Sequence, residues 1–158
     1  MKTSKLYAVL GLLLLLAYLV QDLFSLKWLW LVERQTVESY KQVSGLVLAS
    51  FVLYQWRVSM LRAKGQLQQA RIKLPKHKIG GALAPVFFYL HAHQIGYAYL
   101  FLLSVVFLSN VAVGLLNHEL VPIRRRWFLT GWLVLHVHLA MLLVVLMIYH
   151  VVIAFCYQ

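Results

Sequence analysis

A chain of 158 residues that is 63% hydrophobic and 12% charged carries more apolar sequence than a water-soluble fold of this size can cover, which excludes an ordinary soluble domain. Its net charge of +11 sits mostly in connections between apolar runs, so it reads as membrane orientation and not as a nucleic-acid-binding face. The single cysteine, Cys156, excludes an internal disulfide and any thiolate cluster built by this chain alone.

The sequence predicts an all-α integral membrane helical bundle, one domain over residues 1–158, with five transmembrane helices; four is the alternative. Met1 to Val20 begins like a signal peptide, with two lysines ahead of an apolar core. No small-residue cleavage motif precedes Gln21 and Asp22, so it is taken as a retained first span over about 6–26. Lys27, Trp28 and Trp30 follow as interfacial anchors, then a short polar connection from Glu33 to Lys41. The second span covers about 43–60. It ends in a basic, glutamine-rich loop, Arg57 to Lys78, that holds Arg62, Lys64, Arg71, Lys73 and Lys76.

The apolar run from Ile79 to Asn117 decides the topology. As one helix it would be about 60 Å long, twice the hydrocarbon thickness. It must therefore fold back, and the break is expected at His93-Gln94-Ile95-Gly96-Tyr97. This gives a third span over about 78–94 and a fourth over about 98–116. A loop from His118 to Arg126, with Pro122 and three consecutive arginines, leads into the fifth span over about 127–156. Five spans put twelve of the fifteen Lys and Arg on one side, whereas four spans weaken the bias to nine against six. The positive-inside rule then places the N-terminus in the cytoplasm and the C-terminus outside, in a membrane of bacterial inner-membrane type.

Histidine spacing carries the chemistry. His77 and His91 are fourteen residues apart, and so are His136 and His150. Fourteen residues is nearly four helical turns, so both members of a pair share a face and stand about 21 Å apart along the axis. Two such helices side by side offer two imidazole pairs at two depths, the geometry for two bis-histidine haems stacked across a bilayer. With five spans the third and fifth helices run parallel, pairing His77 with His136 and His91 with His150. A four-span hairpin instead pairs His77 with His150 and His91 with His136.

A lone histidine in a membrane helix is as readily a hydrogen-bonding residue, but intramembrane ionisable groups are costly and two matched intervals favour ligation. His77 is the weakest of the four, at the end of the basic loop. His93 and His138 follow proposed ligands by two positions, which turns them about 200° away, so they are packing residues first, and alternative ligands or ligand-supporting donors second. His118, beside Glu119, is expected at the interface. Arg124, Arg125 and Arg126 are chiefly a topology signal and secondarily candidates to pair with haem propionates. Gly80 and Gly81 would let a macrocycle approach the backbone or serve ordinary helix packing. Phe87, Phe88, Tyr89 and Trp132 are expected in the core or facing lipid.

These features resemble the ferric reductase-like transmembrane domain family, which includes the haem-binding membrane subunits of bacterial periplasmic methionine sulfoxide reductase systems and, more distantly, the NADPH oxidases. The likeness rests on the basic segment running into His77-Lys78-Ile79-Gly80-Gly81, on His91, on Arg124-Arg125-Arg126-Trp127, on Leu135-His136 and on His150, and covers roughly residues 43–156. It implies haems held between the third and fifth helices, and electron transfer. The short connection between the third and fourth spans and the extra His93 and His138 depart from the family pattern. The cytoplasmic flavin and nicotinamide domain of the larger reductases is not expected here, and there is no glycine-rich dinucleotide fingerprint.

The resulting expectation is a b-type cytochrome with two haem b groups whose irons are held by His77, His91, His136 and His150. It would carry electrons across or within the membrane as a subunit of an oxidoreductase, with no catalytic domain of its own. Expected partners are membrane lipid and other redox subunits, with a flavoprotein, cytochrome or quinone as donor or acceptor, and no nucleic acid. The alternatives are a chlorophyll-binding or assembly subunit and a quinone-reactive anchor of a dehydrogenase.

Overall fold

The computed structural model describes residues 2–156 apart from 118, 119, 122 and 124. The described residues form an all-helical bundle: α1 (Lys2–Leu23), α2 (Leu29–Thr36), α3 (Glu38–Ala63), α4 (Leu67–His91), α5 (Tyr99–Leu115) and α6 (Arg126–Cys156). Three helices are long and apolar enough to cross a membrane, within Ser4–Leu23, Glu38–Ala63 and Arg126–Cys156, and α5 is a shorter apolar helix. Leu13 and Leu16 of α1, Val43 and Val47 of α3 and Val145 and Ile148 of α6 all lie exposed on the outside of the bundle. A surface of this kind is suited to lipid contact.

The short connections fix the directions. Lys78 donates to Ser4 Oγ and Gln21 donates to the His93 carbonyl, so α1 and α4 run parallel. Ser44 meets His91 while Gln55 meets His77, so α3 runs antiparallel to α4. Tyr99 meets His150 and Trp132 meets Val113, which sets α5 antiparallel to α6. With His77 beside His136 and His91 beside His150, α1, α4 and α6 point one way and α3 and α5 the other. The closely packed pairs are α1 with α4, α3 with α4 and α5 with α6; α4 and α6 are not among them. Their shared interior is walled by Tyr18, Phe88 and Phe107, with Phe88 edge-on to Tyr18 at 5.2 Å and stacked on Phe107 at 4.8 Å.

Helix ends explain the bends. At the end of α3 the Gly65 amide donates to Arg62 and the Gln66 amide to Leu61, a Schellman closure with Gly65 at φ 72°. The end of α1 closes the same way, Ser25 to Asp22 and Leu26 to Gln21, with Ser25 held at φ 51°. A non-glycine residue there costs about 1 kcal/mol, which the paired carbonyls offset.

Three boundaries differ from expectation. The segment Glu33 to Lys41, expected as a polar connection, contains the end of α2 and the start of α3, and Leu31 of α2 is fully buried. The basic stretch Arg57 to Lys78, expected as a loop, is helical except around the Gly65 turn. Consequently α4 begins at Leu67, about three turns before the expected third span, and accommodates Pro75 and the buried Pro85 within it. Gln, Leu, Ala, Arg and Lys are good helix formers whatever their polarity, so the amphipathic start of α4 is extended outward and not unwound. The fold-back after the third span lies at residues 92–98, close to the expected break, with Ala98 at φ 54° where the chain enters α5.

Candidate functional site

The two helices with matched histidine intervals face each other across the bundle interior. The rings of His77 and His136 lie 6.2 Å apart, centroid to centroid, and those of His91 and His150 lie 6.3 Å apart. The parallel pairing is thus the one the fold contains, and the hairpin pairing is not. Within each pair the ring planes are steeply inclined, at 75° and 69°.

Each imidazole is steadied from the side by its neighbouring helix. His91 Nδ1 meets Ser44 Oγ at 3.1 Å, and His77 Nδ1 donates to the Gln55 carbonyl at 3.1 Å, both partners on α3. His150 Nδ1 lies 3.5 Å from the Tyr99 hydroxyl on α5. His136 differs: its buried Nδ1 completes no hydrogen bond of ordinary geometry among the described residues, although the ring interacts with the Asn110 backbone of α5. In its place the Trp132 ring stacks on the imidazole, with centroids 5.8 Å apart and planes only 9° from parallel. Where Nδ1 is engaged, Nε2 is the nitrogen left to ligate, because the hydrogen bond at one ring nitrogen selects the role of the other.

Two glycines make room for these rings. A Cβ on Gly45 of α3 would meet His91 Cε1 at 3.0 Å, and one on Gly114 of α5 would meet His136 Cε1 at 2.9 Å. Gly80 packs against the Gln55 side chain, so it serves helix packing, whereas Gly81 borders open space in the inner cavity.

A cavity accompanies each pair. The one beside His91 and His150, here called outer, is about 640 Å³ and is also bordered by His93, Gly45, Gln35 and Lys41. The inner one, about 100 Å³, is bordered by His77, His136, Gln55, Trp56, Lys78 and Asn110. Val52, Phe107 and Leu143 line both and form the partition between them.

The remaining histidines that the structure describes do other work. His138 is exposed, and its Nδ1 donates to the Val134 carbonyl of its own helix at 2.7 Å. His93 lies in the turn after α4, where both its amide and its ring nitrogen meet Gln35 Oε1. Gln35, 6% exposed, also donates to the carbonyls of Tyr89 and Leu90 at 2.8 and 3.1 Å. Arg125 and Arg126 are exposed at the start of α6 and border neither cavity, while Lys78 borders the inner one. His118 and Arg124 lie outside the described residues.

The chain matches no family model, curated protein or solved structure.

The donor set limits the chemistry. Among the described residues no three His, Cys, Asp or Glu side chains gather where they could hold a bare metal ion. Two imidazoles alone are too few for a structural zinc, which takes four protein ligands. They suffice for a metal whose other positions are filled by a macrocycle. An imidazole nitrogen lies about 1.1 Å from its ring centre and a metal–imidazole bond is about 2.0 Å long, so two rings facing one metal from opposite sides would have centres about 6.2 Å apart. Both observed separations match that value. Sequence reasoning found the four histidines but missed Ser44, Gly45, Gln55, Tyr99 and Gly114, which hold them, and assigned Trp132 to core or lipid. The one signal available was that Ser44-Gly45 and Gly114 are small or polar positions inside apolar runs.

Proposed function

We propose that this chain is a small membrane b-type cytochrome, in which His77 with His136 and His91 with His150 each hold one haem iron. The carrying observation is the doubled geometry: two facing imidazole pairs, 6.2 and 6.3 Å apart, on two parallel helices that leave space between them. A single edge-to-face ring pair at that distance is ordinary aromatic packing. Two such pairs at a fourteen-residue interval, three of the four rings with Nδ1 directed to a neighbouring helix, are what axial ligation requires.

Haem supplies reversible one-electron chemistry when bound. The protein's part is to orient the imidazoles, exclude water and hold the two sites in line. The outer cavity has the volume for a macrocycle. At the inner pair the ring geometry is equivalent but the enclosed space is smaller, so binding there requires Gln55, Trp56 or Lys78 to move aside. This reading takes α1, α3, α4, α5 and α6 as five spans, which their alternating directions support, with the basic ends of α3 and α4 in the cytoplasm. It agrees with the resemblance to the ferric reductase-like family, and the electron donor and acceptor would be partner subunits or a quinone.

Paired imidazoles favour iron over the magnesium of a chlorophyll, which takes a single axial ligand and would leave the second histidine of each pair without a role. Purified protein from cells with intact haem supply should show a low-spin bis-histidine spectrum with two haems per chain by pyridine haemochrome assay. A pigment-free preparation, or a far-red chlorin band, would end this reading.

A further inference from the structure

The cavity beside His91 and His150 is polar at one end and apolar at the other. Thr36, Glu38, Lys41 and Gln94 border the end where α3 begins and α4 finishes, whereas Val52, Phe107 and Leu143 close the end toward the other histidine pair. Among the described residues that border it, Lys41 is the one lysine or arginine and Glu38 the one acid. Lys41 is exposed, at the rim.

Register on α3 sets the distance of Lys41 from the imidazoles. Gly45 lies against His91, since a Cβ there would meet the ring at 3.0 Å, and Lys41 is four residues earlier on the same helix. Positions i and i+4 share a face, so Lys41 projects from the His91 side of α3, about 6 Å nearer the polar end. Val52, seven residues the other way, is about 10 Å deeper.

A haem carries two propionate carboxylates on one edge, and its opposite edge is apolar. With the iron between His91 and His150, a macrocycle over about 10 Å wide reaches about 5 Å to either side. One edge then arrives near the level of Lys41 and the other faces the apolar partition. Carboxylates turned toward Val52, Phe107 and Leu143 would be buried without a partner, which is far more costly than leaving them at an exposed rim beside a cation. Glu38 does not cancel that attraction, because it sits in the first turn of α3, where the helix N-terminus favours a carboxylate.

We infer that Lys41 anchors the propionates of the haem held by His91 and His150, setting the carboxylate edge toward the start of α3 and the apolar edge against Val52, Phe107 and Leu143. The inference rests on the haem reading of this pair and concerns which way round the group sits. Arg125 and Arg126, expected from the sequence as propionate partners, border neither cavity.

The probes are haem and its dimethyl ester, which keeps the iron and macrocycle and loses the carboxylate charges. Each is titrated into haem-depleted full-length protein carrying His136→Ala, so that a low-spin bis-histidine spectrum reports the His91–His150 site alone. Lys41→Gln should weaken haem binding about two- to fivefold, the contribution of an exposed charge pair, and leave ester binding unchanged. Lys41→Arg should bind both as the parent does, and Lys41→Glu should weaken haem further than the glutamine variant. Comparing two ligands in one variant cancels any general loosening of the bundle, as a double-mutant cycle does. A second measurement needs no change at position 41 and keeps the test decisive if a variant fails to insert. Added salt should weaken haem binding and not ester binding, because a charge pair at an exposed rim is screened.

Equal loss of haem and ester in Lys41→Gln, or no loss of either, overturns the anchor, and so does salt that acts on both ligands alike. A bis-histidine spectrum in those samples leaves the cytochrome reading intact. A wild-type chain that gives no low-spin spectrum with either ligand removes both.

Discussion

Gln35 offers the most exacting test of how the outer site is built. Its amide donates to the carbonyls of Tyr89 and Leu90 at 2.8 and 3.1 Å, and its oxygen accepts from the amide and ring of His93. One buried side chain thus ties α2 to the end of α4, immediately beside His91. Replacing it with leucine keeps the volume and strands four polar groups. A fully buried unpaired group costs about 1–3 kcal/mol. Leu90 keeps its bond from the Tyr40 hydroxyl, and the ring nitrogen of the half-buried His93 can recruit water, so two of the four are largely rescued. The net expectation for Gln35→Leu is a loss of about 2–4 kcal/mol, read as a lowered unfolding midpoint in detergent, with weaker haem retention at the His91–His150 site. Gln35→Glu should be worse, because it points a carboxylate at two carbonyls. A leucine variant within about 0.5 kcal/mol of wild type, with the outer haem retained, would refute this account. Glutamate tolerated better than leucine would show that the direction of the hydrogen bonds is wrong.

Single-ligand removals should sort by pair: His91→Ala and His150→Ala each cost the outer low-spin haem, His77→Ala and His136→Ala the inner one, and spectra in which His91→Ala and His136→Ala cost the same haem would reject the parallel pairing. Because the outer cavity is about 640 Å³ and the inner about 100 Å³, titrating haem into depleted protein should fill the His91–His150 site first; equal filling, seen by comparing His150→Ala with His136→Ala, contradicts that order. A reporter active only in the cytoplasm should work when inserted at the Gly65 turn and be silent when fused after Gln158, and the reverse pattern inverts the proposed orientation.

The histidine pairing was legible in the sequence because a helix converts an interval of fourteen into a shared face and a fixed depth, whatever surrounds it. The basic bias that favoured an odd number of spans made α4 and α6 parallel, and that alone selected His77 with His136. What was not legible depends on neighbours. Glu33 to Lys41 reads as a polar connection, yet its first residues belong to α2, where Leu31 and Gln35 are buried. Leu67 to Lys76 reads as a loop by polarity and stands as helix by propensity. Ser25 and Ala98 occupy left-handed backbone without glycine to announce it. Trp132 could have been lipid-facing by any pattern argument, and only the carbonyl of Val113 and the ring of His136 turn it inward.

The same neighbours explain why the bundle alternates direction around its histidines. Helix α3 supplies Ser44 and Gly45 to His91, and Gln55 to His77, over eleven residues that run opposite to α4. Helix α5 supplies Tyr99 to His150 and Gly114 to His136 over fifteen, opposite to α6. Each ligand helix therefore has an antiparallel holder, and α4 and α6 are free to stay apart without losing their register. Between the two levels Val52, Phe107 and Leu143 border both cavities, and they carry no polar side-chain atom. Irons about 21 Å apart along the axis, with macrocycles over about 10 Å wide, would have edges separated by this thin apolar layer. A polar group there would admit water and raise the reorganisation cost of each electron passing. The aromatic and aliphatic partition is therefore the part of the core that the proposed electron transfer depends on most.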